Sequence, residues 1–251
     1  MQVDVFTLFP EWFDWFTGQR HVSNALQAGS RLRCVNFRDH TPLSGRQVDD
    51  TPFGGGAGMV MKIEPVFDAL TSLGLADRGA RPSGTRVVLT SPQGARFKQD
   101  TALSWAKLDH LVILCGRYKG MDERVAEHLV DEEFSLGDFV LSGGEPAALC
   151  VVDALARLQP DVVGCFDSVE SDSFHSGLLD CSYYTRPAEF RGWTVPEVLL
   201  SGHHAQIARA RREEALRRRF ERRPDLLDHA QLSEADQKFL RELARARASR
   251  A

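Results

Sequence analysis

Hydrophobic and polar positions change their spacing along the chain. Short apolar or alternating runs, each followed by Gly, Pro or polar residues, predict strands at 3–9, 31–37, 86–90, 110–115 and 132–136. Helical spacing predicts helices at 64–73, 98–105, 122–130 and 145–158. Because strands and helices alternate, we expect an α/β domain over residues 1–160, built on a parallel sheet covered on both faces.

The pattern changes after residue 160. Residues 161–176 are rich in Asp, Ser and Glu and have no periodicity, which predicts an interdomain linker. Helical spacing returns at 197–220 and 233–248. We therefore expect a small all-helical domain over residues 177–251.

Composition narrows the class of protein. With 251 residues and 43% hydrophobic content, the chain can bury a sizeable core. It has no apolar run near the ~20 residues that span a bilayer, and its N-terminus lacks the basic and apolar regions of a signal peptide. We therefore expect a cytoplasmic protein with no membrane partner. The five cysteines are odd in number and contain no Cys-x-x-Cys pair, so neither a disulfide framework nor a metal site is predicted.

Charge is unevenly distributed. The net charge is −4, yet eight arginines lie between Arg209 and Arg223, among few acids. An acidic body with a basic later part is typical of a protein that binds a polyanion. A solvated helix face would explain the same run equally well.

Glycine-rich segments mark candidate binding loops. Four glycines fall within the five positions 54–58, after Asp49 and Asp50. Glycine tolerates positive φ, so this segment can fold over a flat ligand, although a flexible connector is the simpler interpretation. It is not a phosphate-binding P-loop, because the Gly-Lys-Ser/Thr ending is absent.

Three further loops, at 91–94, 116–120 and 136–144, each follow a predicted strand and precede a helix. In open α/β sheets, ligands bind outside the carboxyl ends of the strands. Three such loops at one edge therefore favour a cofactor pocket over plain turns. No Gly-x-Gly-x-x-Gly follows the first strand, which argues against a dinucleotide-binding site.

Together these segments resemble the bacterial tRNA (guanine-N1)-methyltransferases, a family of the SPOUT class. The resemblance runs in order from Met1 to about Arg223 and is specific as a set. The segments that carry it are 49–59, 91–94, 115–124, 135–145, 172–174, 177–180, 184–187 and 195–204.

The resemblance implies an α/β domain with a C-terminal trefoil knot at about 86–160, which pattern reasoning would reject because knots are rare. It also implies that the knot loops bind S-adenosyl-L-methionine. The implied cofactor-binding residues are Thr90, Ser91, Pro92, Gln93, Gly94, Gly116, Arg117, Tyr118, Gly120, Leu136, Gly137, Asp138, Phe139, Val140, Leu141, Gly143 and Gly144.

The family methylates N1 of guanine 37, beside the anticodon, as a homodimer with its active site at the subunit interface. Asp172 matches the family's proposed general base, and Arg157 matches the arginine thought to stabilise charge on guanine O6. Without the resemblance, a loop acid and a helix C-terminal cation would be the simpler interpretations. The implied tRNA-binding residues, which would engage the anticodon stem-loop, are Asp49, Asp50, Gly54, Gly55, Gly56, Gly58, Asp180, His204, Arg209, Arg211 and Arg212.

One departure from the family pattern bears on metal use. Lys119 stands where many relatives carry a glutamate linked to magnesium dependence, so the resemblance leaves a Mg²⁺ requirement open. Two other functions stay open as well. A ribose 2′-O-methyltransferase would use the same cofactor loops without Asp172 as base. An RNA-binding protein that had lost catalysis would keep the fold, although the retained Asp172, Arg157 and glycine loops argue against it.

Overall fold

A computed structural model describes residues 1–162, 172–174, 179–229 and 232–249. The chain forms two compact units, at 1–166 and 167–251. The predicted linker at 161–176 lies mostly outside the described residues. Among the residues that are described, no helix is both long and apolar enough to cross a membrane.

The first unit is built on a five-stranded sheet. The sheet contains β1 (Gln2–Thr7), β2 (Arg31–Asn36), β5 (Thr85–Arg96), β6 (His110–Leu114) and β7 (Glu132–Ser135). Two short hairpins are formed by β3 (Asp49–Asp50) with β4 (Val60–Met61), and, in the second unit, by β8 (Glu189–Phe190) with β9 (Trp193–Thr194). The sheet has the order β2-β1-β6-β5-β7, and each pair is parallel. The carboxyl ends of these strands therefore meet at one edge, which confirms the α/β parallel-sheet prediction.

Helices cover both faces of this sheet. The α-helices of the chain are α1 (Asp14–Thr17), α2 (Arg20–Gln27), α3 (Ile63–Thr71), α4 (Gln99–Trp105), α5 (Glu145–Arg157), α6 (Glu197–Leu200), α7 (His204–Arg222) and α8 (Glu234–Ala248). One hydrophobic core joins Ile113 to Trp105 and Leu155, and a second joins Leu114 to Leu70. Successive residues of β6 enter opposite cores because side chains alternate across a strand.

The helix predicted over 122–130 is present, but its geometry differs from a regular α-helix, and one strand prediction was wrong in its length. Residues 123–129 are helical, and Val125–Leu129 take the π-helical form. Val130 is already extended toward β7, so the helix ends at Leu129. Strand β5 also continues past Thr90 to Arg96, with a register shift against β7 between Thr90 and Ala95.

The second unit contains α6, α7, α8, a 3₁₀ helix at Pro224–His229 and the β8–β9 hairpin. The hairpin corrects the all-helical expectation. The helix predicted over 197–220 is also interrupted, because Gly202 adopts a positive φ of 72° between α6 and α7. That conformation is easy for glycine and ends α6 after four residues.

Candidate functional site

The loops that follow β5, β6 and β7 meet at the carboxyl edge of the sheet. The Thr90 hydroxyl donates to the Leu114 carbonyl (3.2 Å) and accepts from the Gly116 amide (3.2 Å). The Gly144 amide donates to the Gly116 carbonyl (2.9 Å), and Arg117 pairs with Gly143 in a single antiparallel bridge. The structure thus brings together the three segments that were predicted separately.

Close backbone contacts require glycine at several of these positions. A Cβ atom at Gly94 would overlap the Phe134 backbone, and one at Gly144 would overlap Thr90. At Gly143 it would overlap the side chains of Arg117 and Glu145. These glycines therefore let the loops cross one another at van der Waals distance.

A buried polar cluster lies beneath the crossing loops. The Glu145 carboxylate is fully buried; its Oε1 accepts from the Thr7 hydroxyl (2.6 Å), and its Oε2 lies 3.0 Å from Nε of Arg117. Neither Arg117 Nε nor Glu145 Oε2 has a hydrogen-bond partner among the described residues, so their contact is an ion pair without a hydrogen bond. The Arg117 guanidinium also donates to the Ser142 carbonyl (3.3 Å) and lies 4.3 Å from the Phe9 ring centroid.

Sequence reasoning did not assign a role to Glu145. An acid directly after Gly143 and Gly144, opening an otherwise apolar helix, was the available signal. The burial of Glu145 and its partners depend on tertiary structure, because Thr7 lies 138 residues away in the sequence.

Exposed apolar side chains surround the edge where the loops meet. Phe139 and Val140 are 58% and 95% exposed, and Tyr118 is half exposed. Beside them, Asp138 pairs with Arg96, and Gly137 exchanges hydrogen bonds with the Ser135 hydroxyl. In the preceding loop, residues Ser91, Pro92 and Gln93 continue β5, and the Gln93 amide donates to the Ser91 hydroxyl.

The glycine-rich segment 54–58 belongs to the β3–β4 hairpin and lies beside the loop at 116–120. The Lys119 amide donates to the Met59 carbonyl and the Met61 amide to the Gly120 carbonyl, each at 2.9 Å. Gly54, Gly55, Gly56 and Gly58 all have positive φ, and the stem of Lys119 packs against Gly58. Phe53 projects fully into solvent.

Charged groups lie at the base of this hairpin. The Asp50 carboxylate accepts from the Thr51 amide (2.8 Å) and from Lys62 (3.4 Å), and these contacts lower the pKa of Asp50. The pKa of Tyr118 is raised by burial and by neighbouring Asp49, against the opposing effect of Arg38. Arg38 is a second site residue that sequence reasoning missed, because no motif marks it.

The two candidate catalytic residues belong to different compact units. Arg157 is the last residue of α5 and is exposed. Asp172 lies in the short described stretch 172–174, in which the hydroxyl of Ser173 accepts from the Asp180 amide (3.0 Å). Asp180 Oδ1 accepts in turn from the Cys181 amide and from the Tyr183 hydroxyl.

The candidate phosphate-binding residues lie on α7. His204 opens the helix and is exposed, and Arg209 pairs with Glu213 at 2.8 Å. The Arg211 guanidinium lies over the Tyr183 ring, 5.6 Å from its centroid. Arg212 instead pairs with Asp236 of α8 at 3.0 Å, so it also links two helices. Within the described residues, no group of three or more His, Cys, Asp or Glu side chains could hold a metal ion.

Comparison with known proteins gives a consistent result. Residues 1–229 match the family described as tRNA (Guanine-1)-methyltransferase TrmD. Proteins named tRNA (guanine-N(1)-)-methyltransferase are 50% identical in Dehalococcoides mccartyi, over 97% of both chains, and 51% identical in Exiguobacterium sibiricum, over 97% of this chain and 98% of that protein. One from Bacillus cereus is 47% identical over 98% of this chain and 99% of its own length. These matches confirm the resemblance, and the chain belongs to the tRNA (guanine-1)-methyltransferase family.

Proposed function

We propose that this protein transfers a methyl group from S-adenosyl-L-methionine to N1 of guanine 37 in tRNA, giving 1-methylguanosine. The observation that carries the proposal is the meeting of loops 90–94, 116–120 and 136–144 at the carboxyl edge of a parallel sheet, in a chain about 50% identical to proteins named for this reaction. The proposed fold is a SPOUT domain whose residues 86–160 form a trefoil knot, followed by a linker at 161–176 and an RNA-binding domain at 177–251.

The residues at the loop edge fit a flat, partly apolar cofactor. At Gly120, with φ of 126°, no described atom lies within 4 Å of the position a Cβ would take, so the backbone faces open space there. Exposed Phe139 and Leu141 offer apolar contacts for adenine. When bound, S-adenosyl-L-methionine supplies an electrophilic methyl group on its sulfonium.

The chemistry at guanine requires a base and a counter-charge. Neutral guanine N1 carries a proton and is a poor nucleophile, so the Asp172 carboxylate would remove that proton. Negative charge then develops on O6, where the Arg157 guanidinium would stabilise it. These two residues belong to different units. Following the family resemblance, which implies a homodimer with its active site at the subunit interface, we propose that Asp172 of one subunit and Arg157 of its partner complete one active site.

Substrate RNA would engage both units. The hairpin residues Asp49, Asp50 and 54–58 would close over the target guanine and its neighbour. In the second unit, Asp180 and His204 would contact the anticodon stem-loop, and Arg209, Arg211 and Arg212 would bind its phosphates. Backbone phosphates attract arginine without sequence preference, whereas the hairpin would supply selectivity for the base.

The test uses unmodified tRNA with guanine at positions 36 and 37, and cofactor labelled on its methyl group. Label recovered in 1-methylguanosine, and lost when guanine 37 is changed, supports the proposal. Asp172→Asn should abolish transfer while cofactor affinity stays within about twofold, because the base acts on RNA. Label in a 2′-O-methyl nucleoside, or full turnover by Asp172→Asn, would overturn the proposed base mechanism.

A further inference from the structure

A cavity of ≈ 250 Å³ lies inside the second unit, apart from the loops at the sheet edge. Its walls come from the segment 181–184, the start of α6 and the middle of α7. Cys181, Tyr184, Val198 and Leu199 give it an apolar side. Its polar lining consists of Ser182, Glu213, Glu214, Arg211 and Arg217.

The polar side of the cavity is close to electrically neutral. Glu213 pairs with Arg209 at 2.8 Å, and Glu214 pairs with Arg217 at 3.4 Å. The Ser182 hydroxyl also donates to Glu214 at 3.2 Å. Because the carboxylates are already neutralised, the interior suits an uncharged body with hydrogen-bonding groups better than a multiply charged anion.

Arg211 differs from its neighbours on α7. Among the described residues, no carboxylate lies within ion-pair distance of its guanidinium, which instead lies over the exposed ring of Tyr183. An exposed arginine beside an aromatic ring can bind a phosphate oxygen and stack on a base. The cavity lining thus combines apolar side chains, neutralised hydrogen-bonding groups and the exposed cation of Arg211.

We propose that this cavity accepts one unpaired nucleobase of the RNA substrate, with Arg211 on the adjoining phosphate. This inference rests on the proposed function, which supplies the RNA. The volume lies just below the range of about 300 to 1,000 Å³ that holds drug-sized ligands, so it suits one base or nucleoside. Splayed bases in single-stranded RNA are recognised by such a combination of aromatic contact and hydrogen bonds.

Filling the cavity is the first test. Val198→Phe and Leu199→Phe each place a ring in it from the apolar wall, and Arg222→Ala is the control, because Arg222 lies on α7 outside the cavity. The dissociation constant of unmodified tRNA should rise about tenfold in the filled variants, within the range for losing one stacked base. Affinity for S-adenosyl-L-methionine and the thermal unfolding midpoint should not change. An unchanged tRNA dissociation constant in a folded, filled variant contradicts the proposal.

A second measurement identifies the base. Abasic nucleotides are placed in turn at each unpaired position of the tRNA, and the affinity loss is compared between the wild type and a filled variant. One position should cost the wild type about tenfold and the filled variant nothing, because both changes remove the same contact. If both filled variants unfold, Tyr184→Ala, which removes the aromatic ring that lines the cavity, takes their place in this comparison. Coupling at no position would overturn the proposal.

These measurements can fail separately from the proposed function. A wild-type protein that binds tRNA but transfers no methyl group would contradict the methyltransferase proposal, while the affinity comparison would still test the cavity. Adenosine and guanosine 5′-monophosphates serve as free probes. One outcome is that either monophosphate binds with a dissociation constant below about 1 mM. If it does so while filling the cavity leaves the affinity for tRNA unchanged, the cavity is a nucleotide effector site and the inference is overturned.

Discussion

Among single side chains, Glu145 connects segments that are far apart in the sequence. It is fully buried and bridges Thr7 of β1 to Arg117 of the loop after β6. Removing one partner of a buried ion pair leaves the other charge uncompensated, which is more costly than losing an exposed pair. We therefore assign Glu145 the role of holding Arg117, and with it the loop at 116–120, in place.

Glu145→Ala is expected to lower the free energy of unfolding by about 3 kcal/mol. It should also weaken S-adenosyl-L-methionine binding, because Arg117 loses its anchor. Urea unfolding and calorimetric titration measure the two effects. Asp39→Asn is the matched control: its pair with Arg46 is exposed and lies outside the cofactor loops, so the change should cost less than about 1 kcal/mol. Equal losses in the two variants would contradict the role given to Glu145.

Among strands and loops, the close contact between β5 and β7 at their register shift depends on Gly94. Gly94→Ala would place a Cβ on the Phe134 backbone, which has no flexible end that could move away. We expect a loss of about 2 kcal/mol in unfolding free energy, typical of overpacking. Gly116→Ala is the control, because its nearest atom, the Thr90 carbonyl oxygen, would lie at an ordinary 3.6 Å. Denaturant unfolding that ranks the two variants in the reverse order would contradict the close contact between Gly94 and the Phe134 backbone.

The junction of α7 and α8 makes a prediction about pH. Asp236 caps α8 together with Ser233 and pairs with Arg212, and these contacts lower its pKa to about 2. A depressed carboxylate pKa stabilises the fold above the unfolded pKa near 3.8, and this contribution is lost as pH falls toward 2.

Asp236→Asn should therefore be about 2 kcal/mol less stable than the wild type at pH 7, and the difference should narrow between pH 4 and pH 2. Urea unfolding followed at several pH values measures this trend. Asp225→Asn is the comparison, because Asp225 pairs with Arg223 at the exposed surface. A difference that stays constant down to pH 2 would show that the Arg212 contact does not stabilise the fold electrostatically.

At the scale of the whole chain, the first unit carries an excess of acidic side chains and the long helix of the second unit an excess of arginines. Residues 1–166 carry 16 basic and 21 acidic side chains, whereas α7 alone carries seven arginines and three glutamates. Replacing Arg209 and Arg211 together with alanine should reduce the salt dependence of tRNA binding by a log–log slope of about 1.5, because two phosphate contacts are lost. Arg20→Ala with Arg31→Ala, two exposed arginines of the first unit, is the control. An unchanged slope would remove the phosphate-binding assignment.

The proposed shared active site can be tested by mixing subunits. Asp172→Asn and Arg157→Ala should each be inactive alone. If one active site takes Asp172 from one subunit and Arg157 from the other, random mixing makes half the dimers mixed, each with one intact site, so about a quarter of wild-type activity returns. Methyl transfer measured after co-refolding the two variants gives the answer. No recovery would place both residues in the same subunit's site.

Much of the first unit follows from local pattern. The run at 110–115 predicts the central strand β6, and the apolar spacing at 145–158 predicts α5, each within one residue of the observed bounds. Both signals are strong because a strand or helix buried on a sheet must repeat its apolar residues with a fixed period. The helix predicted at 122–130 forms at 123–129, but its π-helical form at Val125–Leu129 was not predicted, because apolar periodicity over so short a segment does not distinguish the two helix types.

The glycine motifs predicted from sequence the loops that meet at the sheet edge, since glycine is selected where backbone must approach backbone or take a positive φ. Which loops meet, and what lies beneath them, follows from contacts between residues far apart in the chain. Three examples are contacts between segments distant in the sequence. Thr7 bonds to Glu145, Tyr118 lies near Arg38 and Asp49, and the cavity that Arg211 lines is formed by three separate segments. Local sequence sets the period and the turn of each segment, but burial and the partner of a charge are set by the packing of distant segments against each other.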